Sequence, residues 1–101
     1  MFNSYVTEVI KLFESSLANQ DWSNVVNCCG SITGFLMAFP ERMPEFKQIV
    51  VPLIQIVKEK TEVVRKNGAI LLARLAKDPE LEKVIRANHG FDVLVSLRQA
   101  L

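Results

Sequence analysis

The sequence predicts an all-α fold, and three features point to it. Apolar residues recur at helical spacing along most of the chain, as at Val6, Val9, Ile10, Phe13 and Leu17, the i, i+3, i+4, i+7 pattern of a helix that buries one face. No segment alternates with period two for long enough to form a strand. Capping residues and prolines cut the chain into pieces of ordinary helix length, most clearly at Asp78-Pro79-Glu80.

The first helix runs from Phe2 to Leu17, with Asn3 or Ser4 as its cap. The polar stretch ANQD ends it. Asp21 or Ser23 then offers a side-chain oxygen to the free N–H groups of a second helix, which ends near Phe39. Pro40 and Pro44 bound the short stretch PERMP, because each disfavours α conformation in the residue before it. From Glu45 to Lys60 two helices are expected, one around Pro44 to Val50 and one starting with Pro52 in its first turn. The second carries Leu53, Ile54 and Val57 on one face. Thr61 caps the next helix, whose apolar stripe is Val64, Gly68, Leu71, Leu72 and Leu75. At 78 to 80 a capping carboxylate, a proline at the first helical position and an acid in the first turn coincide. That helix runs to Asn88 and ends at His89-Gly90, with glycine available for a left-handed C-cap. A last helix covers Phe91 to Leu101.

Asn67-Gly68 is the exception to this order. The dipeptide normally marks a turn, yet it stands inside a helical pattern, where glycine costs about 1 kcal/mol relative to alanine. An internal repeat accounts for it. VVNCCGSITGFLMAFPE ends in Phe-Pro-Glu at 39 to 41, and VRKNGAILLARLAKDPE ends in Asp-Pro-Glu at 78 to 80. Superposing the prolines puts Val25 on Val64, Cys29 on Gly68, Ile32 on Leu71 and Leu36 on Leu75, so the apolar stripes match in register. Gly68 then falls on the buried stripe.

The repeating unit, a short helix, a Gly- or Pro-marked corner, a medium helix and a long helix, resembles the armadillo repeat. The likeness is strongest in NGAILLARLAKDPELEKVIRANHGFDVLVSL, which is similar to the family's third helix of one repeat running into the first two of the next. HEAT repeats are the nearest structural alternative. The resemblance implies a right-handed α-solenoid fragment of about two to two and a half repeats: a partial repeat at 2–39, a complete one at 44–78 and the first two helices of another at 79–101. Such units bury their stripes against one another and leave two ends to be covered. The last helix, with Phe91, Val93, Leu94, Val95 and Leu97, is apolar on more than one side. A longer array or self-association through Phe91, Val95 and Leu97 would cover it.

In armadillo proteins the third helices line a groove, where a row of Gln, Trp and Asn holds extended peptides. The resemblance carries that row onto Asn67, Ile70 and Arg74, and in the earlier repeat onto Cys28, Ser31 and Phe35. Isoleucine replaces the tryptophan and arginine the asparagine. The departure weakens the case for nuclear-localisation-signal binding and leaves an arginine suited to carboxylates.

The remaining residues argue against chemistry. One histidine and one vicinal cysteine pair make no zinc pattern. Cys28 and Cys29 project about 100° apart on a helix and do not suit an ordinary disulfide. Glu59 with Glu62 and Glu80 with Glu82 lie at helix ends, where capping and the helix dipole explain them. No phosphate-binding glycine loop or nucleophile elbow is present.

Half of the 101 residues are hydrophobic and 23% are charged, the composition of one packed domain. A net charge of +1 gives no global case for nucleic acid or an anionic membrane. The start, MFNSYVTEVI, has no signal-peptide pattern, and no 18-residue apolar run exists. The expectation is a non-catalytic, cytoplasmic or nuclear module without cofactor or metal that binds another protein along the groove. The alternative is a homo-oligomerisation module.

Overall fold

The computed structural model describes residues 2–60 and 62–100, and side chains at 5–60 and 62–95. Six α-helices and one 3₁₀ segment follow one another: α1 (Phe2–Ala18), α2 (Trp22–Ala38), the 3₁₀ segment (Pro40–Ile49), α3 (Val50–Glu59), α4 (Glu62–Leu75), α5 (Pro79–Ala87) and α6 (Gly90–Ala100). No strand occurs among the described residues. The fold is all α.

Helix α1 buries Val6, Val9, Ile10 and Phe13 as its periodicity predicts. Asn3 and Ser4 lie inside its first turn and not ahead of it. The chain leaves α1 through Gln20, which takes a left-handed backbone conformation at φ 56°. Asp21 then caps α2 by accepting the Asn24 backbone N–H, while Ser23 lies inside the helix. Val25, Cys28, Cys29, Ile32 and Leu36 form the buried face of α2.

The PERMP stretch departs from expectation. It does not separate two helices but winds with the following residues into a 3₁₀ helix, kinked at Phe46 (φ −101°, ψ 15°). Pro40 presets φ for the first turn, and Pro44, lacking an N–H, cannot sit in a regular α ladder. With three residues per turn, positions three apart share a face. Met43, Phe46 and Ile49 are accordingly the three buried residues of this segment.

Helix α3 begins at Val50, two residues before the expected start at Pro52. Proline is tolerated there because the first N–H groups of a helix have no intrahelical acceptor. Val50, Leu53, Ile54, Ile56 and Val57 turn inward. They meet Gly68, Leu71, Leu72 and Leu75, the buried stripe of α4, and Val64 is half-buried at its start. A Cβ added at Gly68 would lie 3.3 Å from Ile56 Cγ2 and 3.4 Å from Val57 Cγ2. Glycine here permits the close approach of α3 and α4. The cap expected at Thr61 falls outside the described residues.

The start of α5 follows its sequence signals. Asp78 Oδ2 accepts the N–H groups of Glu80 and Leu81, each at 3.1 Å, and Pro79 occupies the first turn. Its end does not. The left-handed residue at the corner is His89 (φ 61°), and Gly90 opens α6. A Cβ at Gly90 would stand 2.5 Å from Ile85 Cγ2 and 3.2 Å from Ile54 Cδ1. Gly90 is thus required by packing of α6 on α3 and α5, and not by backbone conformation.

The buried side chains form one continuous cluster drawn from every element through α5. Helix α2 packs on α1 and on α4; α3 packs on α4, α5 and α6. Gln48 Nε2 donates to Glu14 Oε2 at 3.0 Å and ties the 3₁₀ segment to α1.

Candidate functional site

Helices α2 and α4 carry the six residues that the sequence nominates for partner binding, and their surroundings divide those residues into two groups. Cys28, Ser31 and Phe35 lie on the side of α2 next to α1. Ser31 Oγ and the Tyr5 hydroxyl share a hydrogen bond of 2.6 Å. The Phe35 ring lies 4.7 Å from Tyr5, 5.2 Å from Phe39 and 6.2 Å from Phe46, with the Arg42 guanidinium 5.9 Å from its centroid. Phe35 is therefore built into an aromatic cluster between α1, α2 and the 3₁₀ segment. Cys28, 2% exposed, lies at the back of a recess of about 350 Å³ between α1 and α2, lined also by Tyr5, Val9 and Leu12.

Asn67, Ile70 and Arg74 stand on α4. Ile70 is 47% exposed. Asn67 donates its Nδ2 to the Val63 carbonyl of its own helix at 2.8 Å. Arg74 is half-buried, and among the described residues it has no ion-pair or hydrogen-bond partner. The neighbouring Arg65 is committed: its Nε donates to the Val57 carbonyl at 3.0 Å and straps α4 to α3.

The α2 residues that face α4 are a different set. Trp22, Ser23, Val26 and Asn27 join Val63 and Val64 in lining a cleft of about 400 Å³ at the N-terminal ends of the two helices. At 100° per residue, Gly30 and Gly34 continue the Ser23–Asn27 face of α2. Both are exposed, and a Cβ on either would meet nothing within 4 Å. The signal for these positions was the pair of glycines in GSITG. Periodicity alone conceals it, because glycine has no hydropathy to mark a face. Val63 (58% exposed) and Met37 (64%) add apolar surface to the exposed sides of α4 and α2.

The two cysteines are free thiols in the core. Burial pushes the Cys28 pKa above its ordinary value. Burial, with a smaller contribution from the adjacent Cys28, pushes Cys29 up to about 12. Both remain protonated at neutral pH, and a protonated thiol is a poor nucleophile and metal ligand. Among the described residues no three His, Cys, Asp or Glu side chains group as metal ligands would. No described helix is long and apolar enough to cross a membrane.

Of the three residues nominated for self-association, Phe91 is half-buried with the Arg86 guanidinium 5.1 Å from its ring centroid. Val95 is 52% exposed, and the Leu97 side chain falls outside the described residues. Comparison with protein-family models, with curated proteins and with solved structures yields no match.

Proposed function

We propose that the chain is a non-catalytic protein-interaction module, a segment of armadillo-like α-solenoid that holds a partner segment on the face made by α2 and α4. The observation that carries this is the pairing of these two helices: their stripes coincide at a spacing of 39 residues. Val25, Cys29, Ile32 and Leu36 of α2 are buried, as are Gly68, Leu71 and Leu75 of α4, and the two helices pack on each other. Stacking of equivalent helices is what a solenoid requires, and it aligns their outward faces into one continuous surface. Ile70 and Arg74 are the anchor residues on α4. Asn67 keeps its amide on its own helix, bonded to the Val63 carbonyl, and shapes the surface one turn before Ile70. Phe35 supports the face from behind, through the aromatic cluster.

Isolation of the partner with the chain as bait, followed by titration of the purified pair, tests this role. The double variant Ile70→Ala, Arg74→Ala is expected to weaken binding at least tenfold, the loss of two interface hot spots. Unchanged affinity would remove the face from consideration.

Val95, exposed on a helix whose Phe91, Val93 and Leu94 are only half-buried, favours a second role as an oligomerisation surface. Sedimentation at high micromolar concentration separates the two. A dimer dissociated by Val95→Glu supports it, and a clean monomer ends it.

A further inference from the structure

The charges of the α2–α4 face are one-sided although the chain as a whole is nearly neutral. Helix α2 has no Asp, Glu, Lys, Arg or His in its 17 residues. Between Glu62 and Asp78 the sequence carries Arg65, Lys66, Arg74 and Lys77 and no acid at all. Arg65 is spent on the Val57 carbonyl. Lys66, Arg74 and Lys77 have no ion-pair or hydrogen-bond partner among the described residues, whereas Arg42 and Arg86 are paired with Glu45 and Glu82. Of the acids at the ends of this stretch, Asp78 accepts the N–H groups that it caps, and Glu62 is exposed one turn before Lys66, which leaves the cations in excess.

Lys66 and Arg74 share a face of α4 with Ile70: at 100° per residue, positions 66, 70 and 74 fall within about 80° of one another, and Lys77 follows in the turn after the helix. Lys66, Ile70 and Arg74 follow at intervals of four residues, about 6 Å along the axis. Alternate side chains of an extended peptide are spaced about 6.6 to 6.8 Å apart. A segment lying along α4 in the sequence acid-x-apolar-x-acid would therefore set its carboxylates against Lys66 and Arg74 and its apolar side chain on Ile70. Gly30 and Gly34 leave the α2 side of that path bare, so a peptide backbone can lie close to the helix.

Resting on the binding role proposed above, we infer that the α2–α4 face takes an acidic, extended protein segment in which carboxylates flank an apolar side chain. Lys66, Arg74 and Lys77 receive the carboxylates. Charge of this sign would also attract a nucleic-acid strand, but single-strand binding surfaces add aromatic platforms on which bases stack. Helix α4 has no aromatic residue, its exposed side chains between the cations are Ile70 and Ala73, and Trp22, which borders the face on α2, is half-buried with the Lys60 ammonium 4.2 Å from its ring centroid.

The test uses the whole chain and three fluorescent nine-residue probes of sequence X-Ser-Leu-Ser-X-Ser-Leu-Ser-X, with X glutamate, glutamine or lysine, so that X and leucine alternate along one face of the extended segment, read by anisotropy at low salt. The glutamate probe is expected to bind at least tenfold more tightly than the other two. Lys66→Glu, Arg74→Glu, Lys77→Glu together should abolish that preference, while Lys47→Glu, Lys58→Glu, Lys83→Glu, the same charge change elsewhere, should alter it less than threefold. Circular dichroism checks that both variants are folded, and the three-probe comparison on the unaltered chain stands without either. Equal binding of the glutamine probe, if weakened by Ile70→Ala, would keep the face as a binding surface and overturn its acid preference. No binding of any probe at 200 μM, or tighter binding of a labelled oligothymidylate than of the glutamate probe, would overturn the inference. The bait experiment with Ile70→Ala, Arg74→Ala judges the binding role separately.

Discussion

Two pairs of glycines make opposite demands on this molecule. Gly68 and Gly90 are buried where helices meet, and a methyl group on either would press on isoleucine or valine side chains of neighbouring elements. Gly30 and Gly34 lie on the open face of α2, and a methyl group on either would meet nothing. Gly30, Gly34 and Gly68 stand inside helices, where glycine is unfavourable by about 1 kcal/mol relative to alanine, and Gly90 opens α6. Internal packing repays that penalty at Gly68 and leaves it uncompensated at Gly30 and Gly34. A penalty with no return inside the fold directs attention to what the face contacts from outside.

The strongest way to break this contrast is Gly68→Leu. A leucine there must displace Ile56 and Val57, and overpacking of that size, about 3 kcal/mol or more, takes a large share of the stability of a small domain. Loss of the cooperative thermal transition is expected, and a native-like transition would put Gly68 on the wrong side of α4. Gly90→Ala is smaller. The added methyl faces Ile85 Cγ2, the short branch of a fully buried side chain that cannot swing away. A destabilisation of about 1 to 3 kcal/mol is expected in urea denaturation. Least disruptive are Gly30→Ala and Gly34→Ala, each expected to raise stability by about 0.5 to 1 kcal/mol. A loss of stability at either position would mean that the fold itself needs the bare strip, and the two pairs would no longer differ.

Most helix positions were legible because short-range chemistry decides them. Asp21 and Asp78 cap the helices that follow, and the stripe at Gly68, Leu71, Leu72 and Leu75 is buried as its spacing indicates. Failures occur where tertiary contacts outvote local preference. Pro40 and Pro44 read as a break, yet a 3₁₀ helix accommodates both and carries Met43, Phe46 and Ile49 into the core. His89-Gly90 reads as a glycine C-cap, yet crowding by Ile54 and Ile85 claims Gly90, so His89 takes the left-handed turn. The candidate site is legible on α4 and less so on α2. The sequence offset of 39 pairs Cys28, Ser31 and Phe35 with Asn67, Ile70 and Arg74, but α1 lies against that side of α2. Which neighbour covers a helix face is a property of the assembly of elements, and hydropathy along one helix does not encode it.

Trp22 has a further consequence for experiment. It is the single tryptophan of the chain, and it borders two recesses at once, the cleft with Val63 and Val64 and a second hollow of about 400 Å³ beside Val51 and Pro52. The Lys60 ammonium lies 4.2 Å from its ring centroid, a cation–π contact that any shift of the α3–α4 corner would alter. The molecule therefore carries its own optical gauge. Indole emission, uncomplicated by a second source, reads occupancy at the mouth of the α2–α4 face and the setting of that corner without a label.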